Sequence, residues 1–210
     1  MIVLPEHIEL LFFKTLKGET PIQEFEQWLY SSKELEPIVP EDEYLDFISL
    51  SYKASGASHE LAKLLRKHID LGKYETWKLR NLLSGVMKRE GDYVAGIIKF
   101  YDLYCKGYYF LDCLAFRYGL PLDSDTYRIG ERKFEVAARF YPAIEADIQR
   151  VLDLLDSGRI RLTGEADDLG YLKFADSRSR EEIEEAAYWK VPVTSPKASV
   201  STKKWWQFWN

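Results

Sequence analysis

Along most of the chain, apolar residues recur every three or four positions, the spacing of a helix with one buried face. Ile8, Leu11, Phe12, Thr15 and Leu16 predict a first helix that stops at Gly18. Thr20-Pro21-Ile22-Gln23 is a start signal, with Thr20 as cap, Pro21 in the first turn and Gln23 closing a capping box. The helix it opens carries Ile22, Phe25, Trp28 and Leu29. Pro37 and Pro40 bracket a connection, and a third helix follows with Tyr44, Leu45, Ile48 and Tyr52 as its apolar face. Ser58 caps a fourth, with Leu61, Leu64, Leu65, His68 and Ile69 inward and Gly72 as its stop. Leu79, Leu82, Leu83 and Val86 mark a fifth, closing near Gly91.

The most apolar stretch runs from Asp92 to Gly119, and on one helix its residues leave only a narrow arc for water. Val94, Ile97, Tyr101, Tyr104, Tyr108, Leu111, Ala115 and Tyr118 form the stripe; Lys99, Asp102, Lys106 and Arg117 hold the polar arc. Such a helix needs neighbours all round, so it is expected to be the central post of a helical domain, loosened at Gly107 and ended by Gly119, Leu120 and Pro121. A loop is expected from 122 to 130. Residues 131–157 are helical again but broken at Pro142, and Ile144, Ile148, Val151, Leu152 and Leu155 give the last part the cleanest period in the chain.

The period then drops to two. Arg159–Thr163 and Tyr171–Phe174 alternate around GEADDLG, which predicts a β-hairpin at about 159–175, and Ser179 with Glu182 starts a last short helix. The fold class is therefore mainly α: a multi-helix domain over 1–190 around an aromatic-rich central helix, with a small hairpin near the C-terminus. Residues 191–210 read as a linker followed by the aromatic tail KKWWQFWN.

Composition changes this picture in two ways. Aromatic content is high, with 6 Trp, 14 Tyr and 11 Phe, residues that serve cores and binding surfaces alike. The net charge of −5 speaks against nucleic acid and suits a basic protein partner. Cys105 and Cys113 would lie about 12 Å apart on one helix, too far for a disulfide, and read as reduced, buried thiols in a cytoplasmic protein. The start MIVLPEHIELLFF has no basic n-region, so no secretory leader is expected, and no run approaches membrane-spanning length. His59 and His68 face opposite sides of their helix and His7 stands apart, so no metal and no cofactor are expected.

No catalytic signature stands out. Asp112 falls inside the aromatic arc of the central helix, where a carboxylate is either paired or raised in pKa; a buried structural network is the preferred reading. Two acidic groups are candidate partner surfaces: Glu34, Glu36, Glu41, Asp42 and Glu43 around the Pro-bracketed connection, and Glu165, Asp167 and Asp168 in the hairpin. The tail, with Lys203, Lys204, Trp205, Trp206, Phe208 and Trp209, is a candidate anchor for a groove, a partner or a membrane interface.

The segment FEQWLYSSKELE, followed by EDEYLDFISLSY, resembles the F-E-x-W-x-Y…E-x-Y-x-x-x-I-S-x-x-Y opening of small uncharacterised bacterial proteins, some of which look like immunity proteins paired with toxins. The residues that carry the resemblance are Phe25, Glu26, Trp28, Tyr30, Tyr44, Ile48, Ser49 and Tyr52. It implies a cytoplasmic, non-enzymatic, toxin-neutralising protein, and the acidic, aromatic-rich surface suggests occlusion of a basic face of the toxin as the mechanism. Two alternatives stay open: an enzyme with a site near Asp112 and the tyrosine cluster, and a peripheral membrane or scaffold protein held by its Trp-rich tail.

Overall fold

A computed structural model describes residues 4–123 and 130–187. Within them the chain is mainly α-helical, with one two-stranded antiparallel hairpin near its C-terminal end. The linker and aromatic tail at 191–210 lie outside the described residues.

Helix α1 (Glu6–Lys17) ends where Gly18 turns left-handed at φ 79° and donates its N–H back to Thr15. Helix α2 (Ile22–Ser32) starts at the expected place by another device. Pro21 itself occupies the cap position in extended geometry, and no side chain caps the turn, so Thr20 and Gln23 do not form the expected box. Helix α3 (Glu41–Ser49) follows Pro40 in the same way, with Glu41, Asp42 and Glu43 in its first turn, where carboxylates meet the positive end of the helix dipole. Of its expected apolar face, Tyr44, Ile48 and Tyr52 pack on the core, but Phe47 is the residue that α3 buries fully, and Leu45 points outward at 51% exposure. Helix α4 (Ala57–His68) begins after Gly56 at φ 94°, one residue before the expected cap Ser58.

Helix α5 (Leu71–Lys88) corrects the reading of Gly72 as a stop. Asp70 caps α5 by accepting the N–H groups of Gly72 and Lys73, which places Gly72 in the first turn. The glycine is there for contact. A Cβ on it would collide with the carbonyl of Leu162 in strand β1 (Ile160–Ala166). From the other side, Gly164 at φ 73° leaves no room for a Cβ against Leu71.

The expected continuous helix from 92 to 119 is broken. Helix α6 (Tyr93–Cys105), capped by Asp92, ends before Gly107, whose φ of 113° only glycine adopts without strain. Leu172 of strand β2 (Leu172–Asp176) lies against this break and donates its N–H to Lys106 at 2.7 Å. The chain resumes as a 3-10 turn (Tyr109–Leu111), the single turn α7 (Asp112–Leu114), a π turn (Ala115–Gly119) and α8 (Leu120–Asp123). The widened π turn lets the helix run on through Pro121, whose ring would otherwise strike the carbonyl four residues back. Because the break resets the helical phase, Arg117 leaves the polar arc and becomes largely covered. Cys105 ends at the surface as a free thiol, not in the core as expected, while Cys113 is half-buried and also free.

Helices α9 (Gly130–Ala138) and α10 (Ala143–Asp156) are separated at Tyr141–Pro142, as Pro142 indicated. Helix α11 (Arg180–Ala186) carries a complete capping box between Ser179 and Glu182.

These elements enclose two apolar clusters. In the first, the rings of Phe12, Phe25 and Phe47 meet at centroid distances of 5.8–6.2 Å over Leu61 and Leu65, uniting α1 to α4. The second gathers Ile97, Phe100, Leu111, Leu114, Ile144 and Ile148 with Ile160 and Leu162 of the hairpin. Helix α5 belongs to both: Tyr74 enters the first cluster, and Leu79, Leu83 and Val86 enter the second.

The two glycines of α5 give opposite expectations. Gly72→Ala is predicted to cost about 1–3 kcal/mol by forcing the hairpin off the helix, since the Leu162 carbonyl cannot retreat without dragging β1. Gly85→Ala, with nothing within 4 Å of the added methyl, is predicted to gain up to about 1 kcal/mol from helix propensity. Urea unfolding of the two variants checks both signs.

Candidate functional site

The strongest charge feature spans α2, α3 and the connection between them. Residues 22–52 hold eight carboxylates against Lys33 alone, more negative charge than the net −5 of the entire chain. Three of the eight face a histidine or a lysine. Glu34 meets His7 at 2.6 Å, Asp46 lies 3.9 Å from Lys67, and Glu43 lies 3.5 Å from His68. His68 is buried against Phe47, and burial holds its pKa below the ordinary histidine value in spite of the opposing pull of Glu43. It is the core histidine that the sequence suggested, although its Nε2 makes no hydrogen bond. Among the described residues, Glu24, Glu26, Glu36, Glu41 and Asp42 form no ion pair.

Aromatic surface accompanies this charge. Tyr30 is 52% exposed, yet its hydroxyl donates to the Ile48 carbonyl of α3 at 2.9 Å, so the ring is held in place over the helix pair. Glu36 and Tyr30 both lie close enough to Tyr44 to oppose its ionisation; burial is the larger cause of its raised pKa. Tyr30 and Glu26 act in the same direction on Tyr52, which is pushed upward mainly by burial. A fixed tyrosine, an outward leucine and unpaired carboxylates therefore share one helix pair. The sequence pointed to Glu34, Glu36, Glu41, Asp42 and Glu43, and missed Tyr30 and Leu45.

The second acidic group is not brought to this surface. It sits on the hairpin, whose β1 packs against α5 and α10, whereas α3 packs against α4. Glu165 and Asp168 are exposed there, and Asp167 shapes the turn by accepting the N–H groups of Leu169 and Tyr171, both at 2.9 Å. Nothing marks these three as a binding site.

Asp112 is corrected by the break at Gly107. It is half-exposed and not buried, and its Oδ1 accepts the N–H of Cys113 at 2.7 Å. The buried carboxylate is Asp147 on α10, which the sequence reading passed over. Its Oδ2 accepts from the Tyr118 hydroxyl at 2.6 Å and from Arg117 at 3.3 Å; Arg150 pairs with its Oδ1, and the Cys113 thiol lies at 3.6 Å. Asp147 stands three residues after Ile144 and four before Val151, squarely on the apolar stripe, and that placement was the available signal. Burial pushes the Cys113 thiol up despite Arg117 and Arg150, which disfavours the thiolate.

Beside this network lies a cleft of about 460 Å³ between the 110–113 turn, α10 and α11. Phe110, Val151, Leu154 and Ala186 give it apolar walls. Its three arginines are each held by a carboxylate: Arg150 by Asp147, Arg159 by Glu182 at 2.5 Å, and Arg178 by Asp176 at 2.7 Å. Among the described residues, no group of three or more His, Cys, Asp or Glu is placed to hold a metal ion, and no helix is long and apolar enough to cross a membrane.

Asp147→Ala should destabilise the protein by about 3 kcal/mol, because it strands the buried Tyr118 hydroxyl and the largely covered Arg117 together. Asp153→Ala, an exposed neighbour on the same helix, should change stability by no more than about 0.5 kcal/mol. Chemical denaturation of both variants separates the two roles.

Comparison with family models, with curated proteins and with solved structures found no match.

Proposed function

We propose that this chain is a non-enzymatic protein-binding module, an immunity-like protein that neutralises a basic toxin by covering its surface. The observation that supports the reading is the acidic α2–α3 segment: eight carboxylates against one lysine over residues 22–52, which also carry the fixed ring of Tyr30 and the outward Leu45. A buried aromatic anchor surrounded by charge is the usual composition of a tight protein interface. The unpaired carboxylates would steer a cationic partner and raise the association rate, while Tyr30 and Leu45 would hold it once docked. The residues that resemble the immunity-like pattern, Phe25 to Tyr52, lie on this same helix pair and in the turn that follows α3. Five of them, Phe25, Trp28, Tyr44, Ile48 and Tyr52, belong to or pack on the first core, so the pattern also carries the scaffold that presents Tyr30.

The test is capture of a basic protein from the source cells with the native chain and with Glu36→Lys/Glu41→Lys/Asp42→Lys. The native chain is expected to retain a basic protein that added salt releases, and the triple variant to associate with it at least about tenfold more slowly. A partner that binds both chains at the same rate, or the absence of any basic protein among those retained, would contradict the proposal.

A further inference from the structure

The apolar cleft beside Asp147 has a candidate occupant within the chain itself. The described chain ends at Ala187, one residue beyond Ala186 in the cleft wall. Twenty-three residues follow, and their last eight are KKWWQFWN. The 17 residues from 188 to 204 can span at most about 60 Å, ample to return Trp205 to a cleft that starts where they start. The chemistries correspond. Phe110, Val151, Leu154 and Ala186 offer an apolar surface, and the cleft's lining carries four carboxylates against three arginines, which suits the paired lysines 203 and 204. A volume of about 460 Å³ takes one or two large aromatic side chains. The arginines are already occupied by Asp147, Glu182 and Asp176, so an anionic ligand would have to displace a carboxylate, whereas an aromatic segment need not.

We propose that the cleft between the 110–113 turn, α10 and α11 is the docking site of this chain's own C-terminal segment Lys203–Trp209. The site is separate from the acidic α2–α3 face, and the proposal does not depend on the partner described above. Tethering supplies the segment at millimolar effective concentration, so even a contact of modest intrinsic affinity keeps the cleft covered.

Cys113, half-buried in the cleft wall, reports on it directly. In full-length chain carrying Cys105→Ser, the alkylation rate of Cys113 is measured with the native tail and with Trp205, Trp206, Phe208 and Trp209 all changed to Ser. The altered tail should speed labelling by about tenfold, the ratio expected for a segment at millimolar effective concentration with an intrinsic Kd near 0.1 mM. An excess of a free peptide spanning 200–210 should restore protection, and Leu154→Glu with the native tail should speed labelling as the tail substitutions do. Circular dichroism and thermal unfolding verify that each variant is folded. Equal labelling rates with native and altered tails overturn the proposal. So does protection that grows with protein concentration, which would place the tail in a second copy, and so does protection that appears only when anionic vesicles are added.

Discussion

One helix has to satisfy two cores at once. The first turns of α5 set Tyr74 among the phenylalanines of α1 to α3, and the following turns set Leu79, Leu83 and Val86 among α6, α10 and the hairpin. A helix in that position must pack closely at its own start, and at Gly72 the Leu162 carbonyl of the hairpin occupies the space that a Cβ would need. Gly164 closes the same contact against Leu71, and Gly107 does the corresponding work where Leu172 meets the end of α6. The hairpin is thus clasped at two points by glycines, so it is part of the second core more than an appendage to it.

That arrangement separates the two surfaces of interest. The acidic helix pair α2–α3 is built on the phenylalanine cluster, which keeps Phe47 inside and turns Leu45 and Tyr30 outward. The cleft is built on the second core, where Asp147 ties α10 to the π turn through Tyr118 and Arg117. Charge is divided in the same way. The unpaired carboxylates gather on the first surface, while the arginines of the second are matched one by one. A surface with unmatched charge attracts a partner over a distance, and a matched one with apolar walls favours short-range packing.

The helical periods located most elements because each core-facing helix must repeat its apolar residues. Gly18, Pro142 and the Ser179–Glu182 box were legible because each has a local mechanical meaning. What escaped were features set by tertiary contact. Nothing in an apolar stretch says that Gly107 takes a φ of 113°, so one long helix is expected there; Tyr108, Leu111, Ala115 and Tyr118 are buried all the same, but the polar residues between them are misplaced. Asp112 was placed in the core for that reason, and Arg117 in water. Gly72 resembles a helix stop until the strand that crosses it is known. On α3, Tyr44, Leu45 and Ile48 are all apolar enough to point inward, and only packing decides that Phe47 does. Of the site, the excess of carboxylates was visible and the fixed tyrosine was not, because the Tyr30 hydrogen bond reaches 18 residues along the chain.

The central claim is that α5 makes the two clusters one cooperative unit. Native-state hydrogen exchange on Leu83→Ala tests it most directly, since Leu83 is fully buried in the second cluster alone and its truncation costs about 2–5 kcal/mol. If the clusters unfold together, the slowest amides of α2 and α4 lose the same free energy of protection as those of α6 and α10. Undiminished protection in α2 and α4, with loss confined to α6 and α10, would show two independent units and contradict the account.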